Sequence, residues 1–226
     1  MIEFYGGYQV YSESGIDLTL LRENLKRTPT ERLRNNQRML PMIEELRQSG
    51  LAHLPVERTP RLGTTSFDPE ALLRQLVDNQ VEFVLIGGQA MIAQGSAHIT
   101  FDLDICHSRT PKNIAALAAA LAPLHPYLRG APPGLPFFFD VPTITAGLNF
   151  TLLTDLGDID VLGDVSGIGN YDKVVALSEE KMLFGMRVRV LSLDGLLISK
   201  RAAGRLKDRN HILELEELKK LRGESG

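Results

Sequence analysis

The chain has 226 residues, with 25 Lys and Arg against 28 Asp and Glu, for a formal net charge of −3. Its 43% hydrophobic and 23% charged residues exclude wholesale disorder, and the near-neutral balance argues against a protein that coats nucleic acid through bulk charge. The single cysteine, Cys106, excludes an internal disulfide framework and a CxxC zinc site, and no run of about 18 apolar residues predicts a membrane span.

At roughly 150 residues per domain, the length fits one domain with a sizeable extension, or two small ones. Residues 1–66 read as a helical extension and linker, and 67–226 as the main domain. The opening MIEFYGGYQVYSESG carries acidic Glu3 and lacks the basic-then-apolar order of a secretory signal; a cytoplasmic location is expected. Asp17 is placed to cap a short helix carrying Leu18, Leu20, Leu21 and Leu25. Thr28-Pro29-Thr30-Glu31 opens a longer one through Leu33, Met39, Leu40, Ile43 and Leu46, with Gly50 as its stop. Residues 50–66, with Pro55, Pro60 and Gly63, read as a linker. The extension holds 9 basic and 8 acidic residues, and its apolar stripes predict packing rather than a binding site.

From Phe67 onward, helical and strand patterns alternate. Asp68-Pro69-Glu70 starts an amphipathic helix, and Val81-Glu82-Phe83-Val84-Leu85-Ile86 is a β-rich run that ends in Gly87-Gly88 before a short helix. Phe101-Asp102-Leu103-Asp104-Ile105 alternates strictly, with its apolar residues on one face and both carboxylates on the other. Thr110-Pro111 begins an Ala/Leu-rich helix to about Ala122, and the Pro- and Gly-rich stretch 123–147 is expected to be a long surface loop. Strands follow at 148–154 and 158–162, then at about 181–184 and 186–191. A helix through Leu196, Leu197 and Ile198 and a last helix from about Asp208 to Leu221 close the chain.

The chemistry concentrates in the carboxylates. Two Asp at i and i+2 of a strand point to one side and can share a hard divalent cation through oxygen ligands. An isolated DxD also fits ordinary polar alternation on a half-exposed strand. Two neighbours favour the cation. The Gly87-Gly88 pair at a strand-to-helix junction offers backbone N–H groups where phosphate binds well. A further carboxylate stands in Gly157-Asp158-Ile159-Asp160-Val161-Leu162, where Asp158 and Asp160 compete for the role; Asp160 lies deeper in the strand. Such parts build a two-metal phosphoryl or nucleotidyl transfer site. A second constellation, Lys200 to Arg209, holds five basic residues and one acid. Its alternative is a solvated helix end whose bases complement the helix dipole. Asp208 is expected to cap the last helix. His98, Cys106 and His107 lie near the site without the spaced partners a zinc centre needs.

Leu85-Ile86-Gly87-Gly88-Gln89-Ala90, Thr100-x-Asp102-x-Asp104-Ile105 and Gly157-Asp158-Ile159-Asp160-Val161 resemble the DNA polymerase β-like nucleotidyltransferase superfamily. The likeness is nearest to the small bacterial toxin and abortive-infection nucleotidyltransferases and covers about residues 68–215. It implies an α+β fold, a mixed sheet with flanking helices, joined here to the N-terminal helical extension. It also implies two Mg²⁺ ions, with Mn²⁺ as a substitute, and transfer of a nucleoside monophosphate from a nucleoside triphosphate such as ATP. The implied acceptor is a hydroxyl of RNA (tRNA), protein or a small molecule, in a toxin–antitoxin or phage-defence setting, with an antitoxin as partner. By position, Asp102, Asp104 and Asp160 resemble the catalytic metal ligands. Gly87, Gly88 and Gln89 resemble the phosphate turn, while Lys200, Arg205 and Lys207 resemble the basic residues that neutralise the phosphates. The superfamily's turn serine is replaced by Gln89, leaving Ser96 or backbone amides to supply that contact. The rival reading is a non-catalytic protein of the same fold that binds a nucleotide or a partner.

Overall fold

The computed structural model of the protein describes residues 4–5, 8–51, 67–132, 134–206 and 208–223. A small hairpin, β1 (Phe4–Tyr5) and β2 (Tyr8–Gln9), precedes α1 (Leu18–Leu25) and α2 (Pro29–Leu51). Then come α3 (Pro69–Asp78), β3 (Phe83–Ile86), α4 (Gly87–Gln94), β4 (Asp102–His107) and α5 (Pro111–Leu121). The middle of the chain holds β5 (Tyr127–Leu128), α6 (Val141–Ala146), β6 (Asn149–Thr154), β7 (Gly157–Leu162), β8 (Asp164–Val165), β9 (Gly169–Asn170) and α7 (Tyr171–Ala176). The chain closes with β10 (Ser178–Leu183), β11 (Met186–Leu191), α8 (Leu193–Ala203) and α9 (Asp208–Leu221). No helix among the described residues is long and apolar enough to cross a membrane.

Local chemistry sets the boundaries. Asp17 accepts from the Thr19 and Leu20 amides to start α1. In α2, Thr28 Oγ1 accepts from Glu31 N (3.3 Å) while Glu31 Oε2 accepts from Thr28 N (2.7 Å), a capping box. Asp68 caps α3 through the Ala71 amide at 3.0 Å.

Seven strands form a mixed sheet in the order β10-β11-β3-β4-β7-β6-β5. The β11·β3 and β4·β7 pairs are parallel and the others antiparallel. Adjacent β4 and β7 pair Asp102 with Asp158 and Asp104 with Asp160. Because side chains alternate across a strand, this register sets four carboxylates on one face. The opposite face sends Leu103, Ile105, Ile159 and Val161 into the core, all fully buried.

The stretch 123–147 departs from the long loop expected of it, since it contains β5 and α6. Two of its prolines stand where they cost no hydrogen bond. Pro142 lies in the first turn of α6, behind the N-cap Asp140, and Pro126 precedes β5, the edge strand of the sheet. The expected linker lies outside the described residues from position 52 to 66.

Within residues 1–51, α2 lies against α4. Leu33 and Leu40 are buried, and Arg32 Nη1 donates to Ala93 O at 2.6 Å. Asn36, 4% exposed, clasps the backbone of Thr100: its Nδ2 donates to Thr100 O (3.0 Å) and its Oδ1 accepts from Thr100 N (3.2 Å).

Candidate metal and nucleotide site

Asp102, Asp104 and Asp160 each offer one carboxylate oxygen within 4.8 Å of the others. They open on a cavity of about 640 Å³ walled on one side by β4, β7 and the Gly87-Gly88 turn and on the other by α8 and the start of α9. Thr100 Oγ1 donates to Asp102 Oδ1 in a very short contact. A chain of contacts thus runs from Asn36 on α2 through Thr100 to the first carboxylate.

The glycine turn is shaped by Asp104. Gly87 has φ +62°, and a Cβ there would stand 2.0 Å from Asp104 Oδ2; only glycine allows this approach. Gly88 N faces the same oxygen at 3.4 Å. Gly88 also lies tight against Thr100, whose side-chain atoms begin 2.7 Å from the place a Cβ would take.

Burial pushes the Asp104 carboxyl up to about 7, and the nearby charges of Asp102 and Asp160 add to the rise; the Gly88 N–H and Lys200 oppose it. Burial also pushes Asp160 up to about 6, with Arg129 pulling it down and Asp102 and Asp158 pushing it up. The donor set is all carboxylate oxygen, which suits hard divalent cations such as Mg²⁺ and Mn²⁺. Three carboxylates crowded within 4.8 Å of one another repel when ionised, and a cation would relieve that repulsion. The residues therefore fit the ion.

Asp158 does not join the cluster of Asp102, Asp104 and Asp160. It is half-buried and ion-paired to Arg129 Nη1 at 3.0 Å. Arg129, just after β5, also donates through Nη2 to Asp160 Oδ1 and comes within 4.0 Å of Asp102 Oδ2. Sequence reasoning passes over this residue because it sits among the Pro and Gly of 123–147. The hydrogen bond from Arg129 N to Thr151 O (2.9 Å) continues the β5·β6 pairing and carries the side chain to the acids.

On the facing wall, Lys200 Nζ pairs with Asp208 Oδ1 at 3.2 Å, and Asp208 is 1% exposed. Burial raises the Asp208 carboxyl, but the charge and hydrogen bond of Lys200, with Arg205 and His211, outweigh it and the net shift is down. Arg205 is exposed at the cavity wall. The His98 and His211 rings meet edge to face, centroids 4.3 Å apart, on the same wall. Lys207 lies outside the described residues.

Several expected residues lie elsewhere. Gln89 is fully buried in α4 and away from the cavity lining, so the turn offers backbone there instead of a side chain. Ser96, 1% exposed, is bonded to Glu214 at 2.9 Å and does not replace the missing turn serine. His107 and Cys106 are fully buried; burial pushes His107 down to about 4 and Cys106 up to about 12.

No family model matches this chain, and no curated protein matches it. Among solved structures, a Thermotoga maritima protein provisionally named a nucleotidyltransferase aligns at 17% identity, covering 72% of this chain and 98% of that one. Its TM-score is 0.39, too low an overlap to establish a shared fold. The functional reading rests on the geometry of the site.

Proposed function

We propose that the protein is a divalent-cation-dependent nucleotidyltransferase of the polymerase β-like type. It moves a nucleoside monophosphate from a nucleoside triphosphate to a hydroxyl and releases pyrophosphate. The observation that carries the proposal is the placement of Asp102, Asp104 and Asp160, by strand register, around one point of a cavity that also contains a glycine turn and a basic wall.

Bound at the three carboxylates, divalent cations would supply Lewis-acid stabilisation of charge and a lowered pKa for the acceptor hydroxyl. The chain's own groups do the rest. The backbone at Gly87 and Gly88, at the N-terminus of α4, suits a phosphate oxygen. Lys200, held by Asp208, and exposed Arg205 face the acids across the cavity and would draw off charge from the departing pyrophosphate. In the transfer, the acceptor hydroxyl releases its proton to solvent, its oxygen forms a bond to the α-phosphorus, and the bond from that phosphorus to the α,β-bridging oxygen breaks, so that pyrophosphate carries away the electron pair. The sequence resemblance extends the proposal to an acceptor on tRNA or protein, in a toxin–antitoxin or phage-defence setting.

The test is single-turnover incubation of the full chain with each α-³²P-labelled triphosphate, Mg²⁺ or Mn²⁺, and total RNA or lysate protein. Label should move to an acceptor with the wild type and not with Asp102→Asn. Absence of transfer from all four nucleotides, with binding of the nucleotide intact, would replace the enzyme with a nucleotide-binding protein.

A further inference from the structure

The proposed chemistry leaves Arg129 unused, yet its guanidinium lies at the centre of the acidic wall. It forks across two carboxylates of β7, with one nitrogen on Asp158 and the other on Asp160, and stands beside Asp102 on β4. Of these, Asp160 and Asp102 belong to the group that can hold a cation, and Asp158 does not. The side chain is 28% exposed, so its charge acts through a partly desolvated medium in which like charges repel strongly. A divalent cation bound to Asp160 would therefore meet a fixed positive charge already hydrogen-bonded to the same carboxylate. Asp158 gives the guanidinium a partner that no cation claims, so Arg129 can leave Asp160 without leaving the wall.

We propose that Arg129 is the site's built-in counter-ion, which competes with a divalent cation for Asp160 and pivots on Asp158 when the cation enters. The inference rests on the reading that Asp102, Asp104 and Asp160 bind a divalent cation. It makes Arg129 a residue that sets cation affinity, and it gives Asp158 the role of anchor instead of ligand.

The experiment is titration of the full chain with Mn²⁺ alone, without nucleotide, by calorimetry or by the paramagnetic signal of free Mn²⁺. Arg129→Met should bind Mn²⁺ about tenfold more tightly than the wild type, the factor that one charge-assisted hydrogen bond would withhold. Arg129→Gln, which keeps a polar side chain without the charge, should shift in the same direction and carries the test if the first variant does not fold. In the wild type, Mg²⁺ should change the ¹⁵N side-chain signals of Arg129. Unchanged affinity in the neutral variants would overturn the proposal. So would weaker binding, which would mean that the guanidinium orients Asp160 for the cation. If wild type and both variants all bind no Mn²⁺, the cation-site reading itself fails and this inference with it. Binding by the wild type with no effect of Arg129 defeats only the inference.

Discussion

Asp102, Asp104 and Asp160 sit on neighbouring strands whose hydrogen-bonded register fixes their spacing, whereas Lys200 is held by one buried ion pair. Arg205 lies past Gly204, the left-handed C-cap of α8, and is exposed. One wall of the cavity is therefore acidic and spaced by strand register, and the other is basic and carried by the end of a helix. Oxygens so spaced suit a small cation of definite geometry, and cations facing them suit a triphosphate or a polyanionic acceptor. The walls should differ in how much a single change costs.

The largest effect is expected at the acidic wall. Asp104→Asn removes one of the three clustered carboxylates, and transfer should fall by roughly 10³-fold or more, matching the several kcal/mol that a metal ion's charge supplies. Single-turnover kinetics measure this, and near-wild-type rates would contradict it.

The acidic wall should also make the cation-free protein pH-sensitive. Asp104 and Asp160 titrate higher in the folded chain, at about 7 and about 6, than their ordinary value of 3.8. The unfolded chain therefore loses these protons first as pH rises. Stability should decline between about pH 4 and pH 7, by on the order of a few kcal/mol, and level off above. Denaturant melts at fixed ionic strength should show this decline, and saturating Mg²⁺ should remove most of it.

The brace behind the wall comes next. Asn36→Ala leaves both backbone groups of Thr100 without their buried partner, at a cost of about 1–3 kcal/mol. It should also weaken Mn²⁺ binding several-fold, because Thr100 holds Asp102. Loss of stability with unchanged Mn²⁺ affinity would show that the brace stops at Thr100.

Arg205→Ala, at the basic wall, should leave the melting temperature unchanged and raise the KM for nucleotide or acceptor a few-fold. The effect should shrink at high salt, as expected of an exposed charge.

The acidic wall was legible in the sequence because strand periodicity alone puts Asp102 and Asp104 on one face. The same periodicity marked Asp158 and Asp160 without separating them. Both are paired with Arg129, which reaches them through the pairing of an edge strand two residues long, too short to leave a pattern. Gly87 was legible as a turn, but the need for glycine comes from Asp104, seventeen positions away in sequence and in contact only after β3 and β4 pair. Gln89 misled because its position in the motif says nothing of which way the helix turns it. Asn36 gave no signal, since a polar residue on an amphipathic helix ordinarily faces water and here it faces the backbone just before β4.

The proposed cation–triphosphate site joins the three carboxylates to the glycine turn. Crystals grown with Mn²⁺ and a non-hydrolysable nucleoside triphosphate test it through the anomalous scattering of manganese. A peak bounded by Asp102, Asp104 and Asp160, with the phosphates at Gly87 and Gly88, is the predicted result. Manganese elsewhere, or nucleotide bound away from the turn, would contradict it.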